Sequence, residues 1–156
     1  MSKVVPMDRV IARAKDKDGN ALEVWDCQTL SMSPVCSFYM RHMAQLIDNN
    51  HALQVMSGSN SSSAVYATQD GRVVGAIVYE IHANQRMLYI LLSCVEETHR
   101  GKGVYTALHP WLEKIAKEEG CNRIGSIVHV DNTIRQASCA KVGMVPEFIR
   151  MVKHLD

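Results

Sequence analysis

The residues best suited to chemistry stand together in Val95-Glu-Glu-Thr-His-Arg100-Gly101-Lys102-Gly103-Val104-Tyr105-Thr106. An apolar, strand-like run ends at Val95, two glycines follow, and a helical pattern begins at once. The first N–H groups of a helix have no acceptor within it, and the aligned peptide dipoles leave partial positive charge there. Gly101 and Gly103 let the main chain approach a ligand with no Cβ in the way, and Arg100 and Lys102 add formal charge. Together these features make an anion cradle suited to phosphate; the plainer alternative is a glycine-softened turn with a basic edge. Two other phosphate motifs are excluded. No Gly-x-x-x-x-Gly-Lys-[Ser/Thr] is present, and Gly-x-Gly-x-x-Gly fails because position 106 is Thr.

The elements that must position this loop are legible on both sides of it. Val104, Ala107, Leu108, Trp111, Leu112, Ile115 and Ala116 fall at steps of three and four, an amphipathic helix stopped by Glu119-Gly120. Pro110 removes one hydrogen bond inside that helix and predicts a kink. Upstream, Ala64 to Thr68, Arg72 to His82 and Met87 to Val95 read as three strands. They are joined by turns at Asp70-Gly71 and Ala83-Asn84-Gln85-Arg86. Val73, Val74, Ala76, Ile77 and Val78 make the middle strand apolar on both faces, so it belongs in the centre of a sheet. Downstream, Arg123 to Val130 reads as a strand, Thr133 to Val142 as a helix and Phe148 to Val152 as a last short strand.

Nearer the N-terminus, Val10 to Lys15 and Ala21 to Gln28 are extended runs around a turn-rich Asp16-Lys-Asp-Gly-Asn20, a plausible hairpin. Ser33-Pro34 marks a helix start, with Val35, Phe38, Tyr39, Met43, Leu46 and Ile47 on one face and an end near Asn49-Asn50. A shorter apolar piece runs from Ala52 to Met56. Ser57 to Ser63 is either a solvated linker or a mobile flap over a substrate. Antiparallel strands followed by a crossover helix predict an α/β (α+β) fold with a mixed, mostly antiparallel sheet flanked by helices. The length of 156 residues fits a single domain.

Two blocks then resemble the GCN5-related N-acetyltransferase (GNAT) superfamily. Arg100-Gly-Lys-Gly103-Val-Tyr105 matches the first two fixed positions of the family signature Arg/Gln-x-x-Gly-x-Gly/Ala. Asn132-Thr-Ile-Arg-Gln-Ala-Ser-Cys-Ala-Lys141-Val-Gly143-Met144 is similar to the family's Asn…Tyr-Glu-Lys-x-Gly-Phe segment. The resemblance implies a GNAT fold with an acetyl-CoA-binding core at 64–150 and an extension or hairpin at 1–30. It implies that acetyl-CoA lies in a cleft between the family's fourth and fifth strands. The pyrophosphate would rest on Gly101, Lys102, Gly103, Val104, Tyr105 and Thr106, near Arg100, and the pantetheine arm would pair with Ser93, Cys94 and Val95. A backbone N–H there would polarise the thioester carbonyl. Asn132 would hold that arm or cap its own helix.

Departures from the pattern raise further expectations. Tyr105 replaces the family's Gly or Ala and either points away from the phosphates or narrows the cleft. Cys139 stands where many relatives carry the tyrosine that protonates the leaving thiolate; it is either a substitute acid or a small packing residue. Glu80, near the end of the central strand and on one face with His82, is the expected base for the amine, with Tyr89 on the neighbouring strand in reach of the cleft. The function implied is direct transfer of acetyl from acetyl-CoA to a primary amine of a small molecule or protein. The alternatives are an acyl-enzyme on Cys139 or Cys94, and a degenerate relative that binds CoA or a partner without turnover.

Composition bounds the remaining classes. Lys plus Arg (17) against Asp plus Glu (16) gives a net charge of +1, without the basic excess of a dedicated nucleic-acid binder. No apolar run approaches the roughly 20 residues that cross a bilayer, and residues 1–8 resemble no signal peptide. Five cysteines without paired spacing suggest free thiols in a cytoplasmic protein. The seven histidines are scattered, so no metal is expected. Residues 31–63 carry a single acidic group, Asp48, and name no acceptor. A homodimer contact is one role open to residues 1–30.

Overall fold

The structure is a computed structural model and describes residues 8–48 and 62–155. Its elements run β1 (Arg9–Lys15), β2 (Ala21–Cys27), α1 (Val35–Asp48), β3 (Ser63–Gln69), β4 (Arg72–His82) and β5 (Met87–Val95). Then follow α2 (Val104–Glu118), β6 (Arg123–Ser126) and α3 (Thr133–Lys141). The expected apolar piece at 52–56, most of the serine-rich run and the predicted end of α1 lie outside the described residues.

The six strands form one sheet in chain order, antiparallel throughout except for the parallel pair β5–β6. Period-two alternation sends side chains to opposite faces, and each face has its own core. On one, Leu22, Val24, Val65, Ile77 and Leu88 meet Val104, Leu108 and Leu112 of α2. On the other, Cys27, Ala64, Tyr66, Val78 and Leu92 meet Val35, Phe38, Tyr39 and Met43 of α1. β4 is buried over its middle six residues, as its two apolar faces predict. Ser33 caps α1, its Oγ accepting from the Val35 N–H at 3.2 Å. Ile47, expected on the buried face, is exposed.

One irregularity organises the rest. Val78 pairs with Leu92 but Tyr79 pairs with Ile90, so Leu91 is an extra residue in β5, a β-bulge. Ile90 and Leu92 would otherwise share a face. Here Ile90 enters the α2 core and Leu92 the α1 core. The β5–β6 ladder runs from Met87↔Arg123 to Ile90↔Ser126 and stops at the bulge. Beyond it β5 continues alone on that side.

Two expected strands are corrected accordingly. The strand predicted over Arg123–Val130 ends at Ser126, and Ile127 and Val130 are exposed. Once the bulge has turned β5 away, they have no partner to bond. Phe148–Val152 forms no strand. Phe148, Ile149 and Met151 are each at least 85% exposed, and among the described residues no strand pairs with this segment.

Gly75 sets the approach of α2 to the sheet. A Cβ built there would stand 2.6 Å from Cγ1 of Val104, a stiff β-branched side chain at the start of α2. Gly75→Ala is therefore expected to lower the unfolding free energy by about 1–3 kcal/mol through overpacking, read by denaturant unfolding. An unchanged midpoint and slope would show that the helix start yields freely.

Candidate functional site

The divergence of β5 from β6 opens a cleft of about 720 Å³. Leu91–Val95 line one wall, Ser126–His129 the other, and the loop from Arg100 through Thr106 closes one end. Gly101 (φ 75°) and Gly103 (φ 82°) both hold left-handed backbone, which a side chain would strain. That conformation aims the loop and the first turn of α2 at the cleft. Along Ser93, Cys94 and Val95 the strand bonds β4 on one side, and among the described residues no strand pairs with it on the other. Arg100 folds back so that its Nε donates to the Val95 carbonyl at 3.2 Å.

The electrostatics are one-sided. Lys17, Arg100, Arg135, Lys141 and Arg150 line the cleft, and among the described residues no carboxylate does. In a chain of net charge +1 this segregation marks a site for a multiply charged anion. Four of these cations were not singled out from the sequence. Lys17 arrives from the β1–β2 turn, whose N–H donates to the Lys102 carbonyl at 2.9 Å, with its side-chain carbons 3.4–3.9 Å from the Cβ position of Gly103. Lys141 sits in the last turn of α3 and Arg150 in the irregular tail, where nothing local announces a ligand.

The structure sorts the sequence-predicted residues. Ser93, Cys94, Val95, Arg100, Gly101, Gly103, Val104, Tyr105, Thr106 and Asn132 all line the cleft. Lys102 does not; its ammonium pairs with Asp18 at 3.6 Å. Asn132 also caps α3, accepting from the Arg135 N–H at 3.1 Å. Cys139 is buried and is not among the residues that line the cleft, the position expected of a packing residue rather than of an acid. Glu80 likewise stands off the cleft surface. It accepts from Ser62 Oγ at 3.2 Å and lies 3.4 Å from Nε2 of His82. The neighbouring Tyr89 does line the cleft, stacked on the His82 ring at 5.3 Å. Burial raises the Tyr89 pKa and keeps its hydroxyl protonated. Burial also pushes the Cys94 thiol up to about 12, with Arg100 acting in the opposite sense, so it is no ready nucleophile.

A ladder of rings leads into the cleft from α2. His109 meets Tyr105 edge-on at 5.7 Å, and the Arg135 guanidinium lies 4.8 Å over the Tyr105 ring. Burial raises the Tyr105 pKa, and the neighbouring Arg135 guanidinium acts in the opposite sense.

A family profile matches this geometry. The acetyltransferase (GNAT) family profile covers residues 25–144. The chain belongs to the GNAT acetyltransferase family. The GNAT domain of S. lividans PAT is similar in fold, with 16% identity and TM-score 0.66 over 85% of this chain and 86% of that one. So is a ribosomal-protein-alanine N-acetyltransferase from Brucella melitensis biovar Abortus 2308, with 16% identity, TM-score 0.62 and coverage of 86% and 99%. The aminoglycoside N-acetyltransferase AAC(6')-Iy in complex with CoA shows 19% identity, TM-score 0.58 and coverage of 78% and 92%. No curated protein matches significantly by sequence. Lys17 and all of β1 precede the family match, which begins at residue 25.

The ring ladder has a pH signature. Burial, aided by the Arg135 charge, holds His109 below its ordinary pKa of 6.5, while Glu113 at 3.1 Å pulls upward. The folded protein keeps His109 neutral, so below that value the unfolded chain binds more protons and stability falls as pH falls. Unfolding free energy should decline from about pH 7.5 to about pH 5, by at most about 1.4 kcal/mol per unit from this one group. His109→Gln should flatten that decline; equal slopes in both proteins would refute the assignment.

Proposed function

We propose that this chain is an acetyl-CoA-dependent N-acetyltransferase that delivers acetyl to a primary amine of a small molecule or protein in a ternary complex. The observation that carries the reading is the cleft itself: an unpaired strand edge leading to left-handed glycines at a helix start, within a wall of cations and no carboxylates. The CoA complex of the similar aminoglycoside enzyme supports it as a likeness of fold. Acetyl-CoA, when bound, supplies an activated acetyl thioester and a diphosphate handle.

In this reading the amides of Gly101 to Thr106 hold the diphosphate, with Lys17, Arg100, Lys141 and Arg150 adding charge. Main-chain groups of Ser93, Cys94 and Val95 bond the pantetheine as an added strand would. A backbone N–H at this edge stabilises charge developing on the thioester oxygen. Asn132 serves its helix and the cofactor arm together. Proton traffic belongs to the β4–β5 end of the cleft. Glu80, paired with His82, accepts the amine proton through water, one strand behind the wall. Tyr89, which lines the cleft with a protonated hydroxyl, returns a proton to the departing thiolate. The acceptor enters from the α1 side, where Met43 and Leu46 reach the cleft.

The reading is tested by measuring free thiol release from acetyl-CoA across amines, polyamines, peptides and ribosomal proteins. At least one acceptor should release CoA stoichiometrically with acetylated amine, and no acetyl-cysteine should appear by mass spectrometry without acceptor. Tyr89→Phe is expected to lower turnover about 10²-fold or more, while Cys139→Ala stays within about tenfold of the parent. A protein that binds CoA but releases no thiol with any acceptor would be a binding relative rather than an enzyme.

A further inference from the structure

Arg135 is in an awkward position for a cation. It occupies the third residue of α3, inside the first turn, where the helix dipole disfavours positive charge. Both terminal nitrogens of its guanidinium are buried, and among the described residues neither makes a well-formed hydrogen bond. Around it are a tyrosine ring, a histidine kept neutral, and a cleft lined by four other cations. A buried guanidinium with unmet donors is costly unless an anion completes it. Its location identifies which anion. The group lies over the ring of Tyr105, the second residue of α2, beside the amides that follow Gly103. The part of a coenzyme at that point is its diphosphate; the pantetheine arm carries no charge to offer.

We propose that Arg135 is a diphosphate-binding residue, reaching across the cleft from α3 to face the glycine loop, and that Tyr105 is the positioning residue that holds its guanidinium. The inference rests on the coenzyme reading above and adds to it a side-chain clamp on the wall opposite the main-chain cradle. It also assigns a purpose to the bulk of Tyr105: the ring is a platform under the cation, squared by His109, and does not plug the site.

The test is titration calorimetry of the full chain with CoA over a range of salt concentrations. Arg135→Gln should weaken CoA binding about ten- to a hundredfold and make it less salt-dependent, because one charge pair is lost. Tyr105→Leu should weaken binding, and adding Tyr105→Leu to Arg135→Gln should cost little more. Arg135→Lys keeps the charge without the planar fork and should bind a few-fold more weakly at full salt dependence. It supplies the answer should the Gln variant not fold. Unchanged affinity in Arg135→Gln or Arg135→Lys, or weaker binding with unchanged salt dependence in the Gln variant, would overturn the clamp alone. A parent protein that binds no CoA at all would overturn the coenzyme reading and the clamp with it.

Discussion

Backbone N–H and C=O groups on a strand edge must find partners, and in β5 a single extra residue decides where they find them. Up to Ile90 the strand bonds β6; past the Leu91 bulge it bonds β4 alone on its other side. The same bulge changes the face to which Leu92 points and lets each half of β5 contribute to a different core. The bulge therefore settles several things at once: the width of the cleft, the exposure of a main-chain edge, and the short length of β6. Anything that slides down the cleft meets donors and acceptors already oriented for strand-like pairing.

Charge is the second organising feature. A nearly neutral chain gathers five cations around one cleft and keeps carboxylates off its surface. These cations come from a hairpin turn, a glycine loop, both ends of α3 and the C-terminal tail, parts of the chain that meet only on folding. Asp18 draws Lys102 aside, so the loop presents its amides and Arg100 without a second lysine crowding them. The packing of α2 on Gly75 holds those amides at the end of β5. Such a site senses ionic strength strongly, since several like charges converge on one ligand.

Much of this was legible in the residues. The central strand was recognisable from its two apolar faces, α2 from its three-and-four spacing, and the glycine loop from residue type alone. Asn132 was read as holding the cofactor arm or capping its own helix; it caps α3, and it also lines the cleft. Other assignments failed for definite reasons. Ile127 to Val130 and Phe148 to Val152 have the composition of strands, but strand structure needs a partner edge, and pattern does not supply one. Cys139, read from its family position as either an acid or a packing residue, is buried away from the cleft lining. Glu80 shares a strand face with His82 as expected, and it stands one strand behind the cleft wall, bonded to Ser62.

The sequence by itself determined the order of elements, the loop that opens α2 and the membership of the GNAT family, because each depends on contacts between near neighbours or on spacing along the chain. Only the tertiary structure decided that Lys17 reaches the loop from a distant hairpin, that Arg135 stacks on Tyr105, and that β5 parts from β6 at Leu91. The physical reason is range. Periodicity and capping are short-range preferences, whereas a bulge, a cation over a ring and a shared electrostatic field depend on how separate elements pack against one another.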